Sequence, residues 1–207
     1  MSADAASKEA KSPHKRLEEY IQIYLASDNK GDELEVRFGT NHSNPLTRID
    51  FENAIAKLKS LGFTSADSYG GYHLNIQNQY TDAKTGKTGI GNIRTEIRGL
   101  KNIQNYCKTN HFDIENVPSW IWFNQKFSKM MGERRLRPID YHDFQFRVNF
   151  KTERWLKPHY DVVQTLLENW EKKKKIFRLL KRFTFRHPDF PVKIDCSIVR
   201  SSAKRGK

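Results

Sequence analysis

Apolar residues recur along the chain with two different periods, and the period decides the element. Where they return every three to four positions, helices are predicted. Leu17, Tyr20, Ile21 and Tyr24 place a short helix over Lys15–Ser27. Phe51, Ile55 and Leu58 place a second over Asp50–Leu61, with Asp50 as its cap and Gly62 as its stop. A third is expected over Ile103–Asn110. A fourth is expected over Tyr160–Lys173, with Val163, Leu166, Leu167 and Trp170 turned inward. Between these the period drops to two. It predicts strands over Glu33–Gly39, Tyr72–Tyr80, Asn92–Gly99, Trp120–Ser128, Phe144–Trp155, Ile176–His187 and Val192–Ser201. Thr81–Gly91 reads as a hairpin loop and Gly132–Tyr141 as a basic, Pro-containing loop. Residues 1–14 read as a disordered leader, 15–202 as one domain and 203–207 as a linker or tail. The class is α+β: a meandering antiparallel sheet of seven or eight strands, with a few helices outside it.

Residues two apart on a strand share a face, about 6.5–7 Å from one another. In Glu33–Phe38 one face carries Glu33, Glu35 and Arg37, and the other Leu34, Val36 and Phe38. Arg94, Glu96 and Arg98 share a face, as do Gln145, Arg147, Asn149 and Lys151. So do Arg182, Thr184 and Arg186, and Lys193, Asp195 and Ser197. A sheet wetted on one side alternates in this way without any function. Here, however, five strands carry such a face, Arg is the commonest charged residue across them, and the carboxylates are few and grouped. Closure into a barrel removes the sheet edges. With the charged face inward, the lumen is lined by opposing acidic and basic clusters.

Composition narrows the classes. The 207 residues carry a formal net charge of +13, unevenly spread. Residues 1–120 hold 15 basic and 15 acidic side chains, and residues 121–207 hold 22 and 9. A charge asymmetry of this kind points to a polyanionic partner. No apolar run approaches the roughly 18–20 residues of a membrane span. The first residues lack the apolar core of a secretory signal. Cys107 and Cys196 are the only cysteines and form no metal-ligand pair, which fits a reducing intracellular compartment. Thirteen Phe, eight Tyr and four Trp are too many for a disordered basic tail.

A lumen of this make-up suits a triphosphate. Arg and Lys match phosphate oxygens. Two carboxylates on one strand suit a hard divalent cation such as Mg²⁺ or Mn²⁺. A carboxylate can also position or deprotonate the attacking water.

Glu33-Leu34-Glu35-Val36-Arg37-Phe38-Gly39 resembles the first-strand Glu-x-Glu-x-(Lys/Arg) signature of triphosphate tunnel metalloenzymes. More narrowly, the chain resembles the N-terminal RNA triphosphatase domain of mRNA-capping enzymes of large DNA viruses, the giant-virus, asfarvirus and poxvirus group. Asn92–Ile97 followed by Ile103–Asn110, then Phe144–Glu153 and Lys181–Ser202, extend the resemblance in the same order. It implies an eight-stranded antiparallel β-barrel, the triphosphate tunnel, with helices packed outside. It implies metal-dependent removal of the γ-phosphate from RNA 5′-triphosphate ends, the first step of capping. Carried over residue by residue, it gives Glu33 and Glu35 to an Mg²⁺ or Mn²⁺ ion. It gives Arg37, Arg94, Lys126, Arg147, Lys151 and Arg182 to the triphosphate. It gives Asp195 to the same metal ion, at the place of the family's second acidic pair, although Asp195-Cys196-Ser197 replaces the usual Glu-x-Glu. Glu96 is assigned either to water positioning or to orienting the neighbouring Arg residues. The implied partners are RNA 5′ ends, NTPs, and guanylyltransferase and methyltransferase domains of the same polypeptide, with no membrane. The implied setting is host cytoplasm or the virion.

Other signals carry less. Thr85-Gly86-Lys87-Thr88 imitates the end of a P-loop but lacks its first Gly and is followed by a strand. Lys193-Ile194-Asp195-Cys196 lacks the Gly of a guanylyltransferase nucleophile motif. Asn41-His42-Ser43 matches a glycosylation acceptor without a secretory signal beside it. Trp120, Trp122, Trp155 and Trp170 read as packing residues, with Trp122 also a candidate for the lumen. The alternatives to the capping reading are a non-catalytic basic RNA-binding module and a triphosphatase acting on free NTP or tripolyphosphate.

Overall fold

The computed structural model describes residues 12–39, 46–65, 71–81, 83–113, 115–143 and 145–202. The discounted acceptor motif at Asn41, the first part of the leader and the tail at 203–207 lie outside them. In chain order the elements are α1 Pro13–Leu25, β1 Asp32–Phe38, α2 Arg48–Ser60, β2 Thr64–Ser65, β3 Gly71–Thr81, β4 Thr88–Ile90, β5 Ile93–Arg98 and α3 Leu100–Thr109. There follow β6 Ile121–Ser128, β7 Met130–Met131, β8 Arg134–Arg135, β9 Ile139–Tyr141, β10 Phe146–Leu156, α4 Asp161–Glu168, β11 Lys175–Arg186 and β12 Lys193–Ser201. The α+β class and the antiparallel pairing are as the periodicity predicts. The chain divides into two compact units, Met1–Pro45 with Phe127–Glu153 and Leu46–Lys126 with Arg154–Lys207.

In the first unit, α1 begins earlier than the leader reading implies. The Ser12 side chain accepts from the Lys15 backbone, and Pro13 sits at the first helical position, where its missing N–H costs nothing. Tyr20 is buried against Leu136, Ile139, Val148 and Phe150, and its hydroxyl donates to the Arg137 carbonyl at 2.6 Å. Ile23 rather than Ile21 joins this cluster, so the helix is rotated from its predicted face. β1 pairs antiparallel with β10, and β9 pairs with β10 as well. The expected loop at Gly132–Tyr141 holds more structure than its composition suggests. Gly132, in the left-handed region at φ 56°, turns β7 into β8, and buried Leu136 and Ile139 anchor the segment from β8 into β9. Asp32 ties down the start of β1. It accepts from Ser27 at 2.5 Å, from Thr152 at 2.7 Å and from Lys129. Burial opposes its charge, but these hydrogen bonds outweigh burial and hold its carboxyl below the usual range.

In the second unit the strands run in the order β6-β5-β3-β11-β12, with β4 on the end of β3 and β2 on the end of β11. Leu74, Ile76, Ile93, Ile97, Ile121 and Phe123 form a continuous apolar face. α3 covers it with Ile103 and Tyr106, and α4 with Val163 and Leu167. Each such buried side chain contributes roughly 1.5–3 kcal/mol, so this face fixes which side of every strand points away from the helices. Three helix boundaries move from their predicted places. Thr47, not Asp50, caps α2, and Asp50 closes a capping box from the third helical position. α3 starts at Leu100 because Gly99 turns the chain at φ 90°. α4 stops at Glu168 because Trp170 swings into the core. β4 replaces the end of the expected hairpin loop by pairing Thr88–Ile90 with Gln79–Thr81.

Candidate functional site

The first unit supplies acids. Pairing of β1 with β10 sets Glu33 opposite Lys151, Glu35 opposite Asn149, and Arg37 opposite Arg147. All six therefore lie on one face, while Leu34, Val36 and Phe38 meet Phe150, Val148 and Phe146 on the other. Arg37 Nη2 stands 2.8 Å from Glu35 Oε2. That approach is off-line, so the buried Oε2 accepts no hydrogen bond among the described residues. Nor does the directly opposed Asn149 Nδ2 make one. Arg147 is held by Asp140, with Nε–Oδ1 at 2.5 Å and Nη2–Oδ2 at 3.1 Å. This fork pushes the Asp140 carboxyl down from its ordinary value.

The second unit supplies cations around one buried acid. Register sets Glu96 of β5 between Asn75 of β3 and Trp122 of β6, and Arg94 opposite Asn124. Glu96 is 1% exposed. Its Oε1 accepts from Arg98 Nε at 2.5 Å and meets His73 Nδ1 at 3.2 Å, and its Oε2 stands 4.0 Å from Arg94 Nη2. Burial alone raises its pKa. The His73 and Arg98 hydrogen bonds and the Arg98 and Arg94 charges overcome this and bring it to about 2. On β11 and β12, Arg182 lies opposite Ser197 and Thr184 opposite Asp195, on the face continuous with Asn75 through β3. Asp195 accepts from the Thr184 hydroxyl at 2.7 Å, and lies 3.5 Å from Lys193 Nζ and 3.7 Å from Arg182 Nη1. Its charge is thus matched within the unit.

Buried polar atoms on this face lack partners. Asn124 is fully buried, and neither Nδ2 nor Oδ1 makes a hydrogen bond among the described residues. Arg182 Nε and Asn75 Oδ1 are in the same condition. A buried polar group without a partner costs about 1–3 kcal/mol, and proteins keep few of them.

The sequence-derived residues thus fall in two sets. Glu33, Glu35, Arg37, Arg147 and Lys151 share a face of the first unit. Arg94, Glu96, Lys126, Arg182 and Asp195 belong to the second, with Lys126 two positions beyond Asn124 on β6. Sequence reasoning misses Asp140, His73 and Asn75, and gives no role to Asn124, which parity sets on the Lys126 face. The last three carry a readable signal, since His73 and Asn75 alternate with Leu74 and Ile76, and Asn124 follows Phe123. Asp140 lies within the expected loop and carries none.

The donor set at Glu33 and Glu35 fits a hard divalent cation: carboxylate oxygens on one face, one of them buried without a hydrogen bond. Among the described residues, no three His, Cys, Asp or Glu side chains cluster closely enough to complete a metal shell. No described helix is long and apolar enough to cross a membrane.

No protein-family model and no curated protein matches the chain. Among solved structures, the capping enzyme triphosphatase of Mimivirus matches with a TM-score of 0.57 at 14% sequence identity, over 92% of this chain and 80% of that one. At this identity the likeness shows a shared fold. It is the fold to which the four strand motifs point.

Proposed function

We propose that this chain is a metal-dependent RNA 5′-triphosphatase that removes the γ-phosphate from nascent mRNA ends before capping. The observation that carries the reading is the polar face of the second unit. There Arg94, Arg98 and Arg182 share a face with two buried donors, Asn124 Nδ2 and Arg182 Nε, that make no hydrogen bond among the described residues. Several cations and spare buried donors on one rigid sheet face suit a compact polyanion better than they suit water. The shared fold with a viral capping-enzyme triphosphatase supports the same reading.

The chemistry divides among the chain's own residues. Arg94, Lys126 and Arg182 bind phosphate oxygens, as do Arg37, Arg147 and Lys151. Glu96, buried and matched by three basic groups, is a positioning residue that fixes Arg98 and Arg94. Glu33 and Glu35 would hold a divalent cation, which would supply charge neutralisation to the triphosphate. Water adds to the γ-phosphorus, the bond to the β-phosphate oxygen breaks, and inorganic phosphate and a diphosphate end are released. On this reading the chain works in infected-cell cytoplasm or in the virion, beside guanylyltransferase and methyltransferase activities.

The test is phosphate release from triphosphate-ended RNA, ATP and tripolyphosphate, with Mg²⁺, Mn²⁺ or chelator. Release that needs the cation, favours RNA and vanishes in Glu33→Ala and Glu35→Ala, with unchanged circular dichroism, supports the proposal. Faster turnover of free ATP or tripolyphosphate moves it to a small-molecule triphosphatase. The pairing of Asp195 and Glu96 with cations favours a second reading, a non-catalytic RNA-binding module. Chelator-insensitive RNA binding without any phosphate release would establish that reading.

A further inference from the structure

Trp122 and Trp155 stand apart from the buried aromatic residues of the second unit. Trp170 is 2% exposed, but Trp122 and Trp155 are 43% and 48% exposed. Their rings meet edge to face, with centroids 5.7 Å apart. The Arg98 guanidinium lies 4.6 Å from the Trp122 ring centre and 5.6 Å from that of Trp155. Glu96 takes Arg98 Nε, and the terminal nitrogens of Arg98 make no hydrogen bond among the described residues. Such a pair is a poor packing device, because much of its apolar surface remains in water. It makes a good platform, since indole is large, rigid and electron-rich on its face.

Its position matters as much as its exposure. Trp122 points to the same side of β6 as Asn124, one two-residue step away or about 7 Å. It also lies directly opposite Glu96. The platform therefore adjoins the proposed phosphate-binding face at about the reach of a ribose. We infer that the Trp122–Trp155 pair, with Arg98, stacks the nucleobase of the nucleotide whose 5′-triphosphate is hydrolysed. The inference rests on the triphosphatase reading and names the part of the substrate that this reading leaves unplaced. Stacking needs only a π-face, so any base is accepted and purines, with the larger ring system, bind tighter.

Inorganic tripolyphosphate has no base and separates the two ideas. In Trp122→Ala, KM for triphosphate-ended RNA and for ATP is expected to rise roughly tenfold, the usual loss for one base–aromatic stack. Turnover of tripolyphosphate stays at the wild-type level, which also reports that the fold is intact. Trp155→Ala moves the same way, and Trp122→Phe recovers most of the loss. Comparing RNA with ATP shows whether the platform serves polymer ends or free nucleotides. Unchanged KM on both nucleotide substrates overturns the inference, and so does equal loss on tripolyphosphate. Quenching of intrinsic tryptophan fluorescence by ATP, absent with tripolyphosphate and reduced in Trp122→Ala, tests it without turnover. If no phosphate is released from any substrate, the triphosphatase reading fails, and the quenching result alone decides the stacking site.

Discussion

Glu96 shows how much one residue can be asked to do. Its pKa of about 2, against an ordinary 4.5, means that the folded state binds its proton less readily than the unfolded chain. The resulting stability is fully present above about pH 4.5 and is lost as pH falls toward 2. The shift corresponds to about 3 kcal/mol. Glu96→Gln keeps the shape but removes the charge facing Arg98 and Arg94, and is expected to cost about 2–3 kcal/mol at pH 7. Denaturation midpoints at pH 7 and pH 3 should lie closer together in the variant than in the wild type. Equal differences would show that the ion pairs contribute nothing. The residual activity of Glu96→Gln should keep the acidic limb of its pH profile, because the residue orients cations and exchanges no proton with substrate. Loss of that limb would make it a base. The sequence places Glu96 on the charged face but leaves its role open. The choice depends on burial and on His73, which comes from another strand.

At the level of elements, the period of apolar residues finds the four helices and seven long strands of the described residues, because each gathers its apolar side chains on one face, even where, as in α2 and β12, none of them is fully buried. It misses β2, β4 and the hairpin β7–β8, which are two or three residues long and leave no period to read. β9, equally short, carries only one buried apolar position, at Ile139. It also misplaces helix ends wherever a cap lies outside the stripe, as at Thr47 and Gly99. The face carried by β1 is readable from parity. Its register against β10, which sets Glu33 opposite Lys151, is not, because register is a property of the pair. One glycine helps to hold that register. At Gly31 a methyl group would run into the Glu153 carbonyl oxygen, while the Glu153 N–H donates to the Gly31 carbonyl at 2.7 Å. Gly31→Ala is expected to cost about 2 kcal/mol and to lower phosphate release several-fold by shifting Glu33, two residues on. Gly86→Ala is the control. It has a positive φ of 65° but open space around it, so it costs about 1 kcal/mol and leaves activity unchanged. If both variants lose activity equally, register is not what Gly31 protects.

Across the whole chain, the +13 charge divides by what each cation touches. Arg94, Arg98, Arg147 and Arg182 meet carboxylates at Glu96, Asp140 and Asp195, and these pairs fix where they point. Lys172, Lys173 and Lys174 lie exposed on the turn after α4, and Arg135 and Arg137 are exposed around β8. The second group is too solvated to grip a triphosphate with precision, but it is well suited to attract the rest of an RNA strand. Charge reversal of Lys172, Lys173 and Lys174 to Glu should therefore weaken binding of triphosphate-ended RNA. It should also flatten the dependence of log K on log salt, by up to about 2 for three lost single-strand phosphate contacts. Tripolyphosphate, which ends at its third phosphate, should be hydrolysed as before. The measurement is RNA affinity and tripolyphosphate turnover for one variant, over a salt series. A parallel fall in both would place the lysine run at the reacting phosphates. An unchanged salt slope would remove it from the RNA path, and would leave the charge asymmetry to be explained by the paired arginines alone.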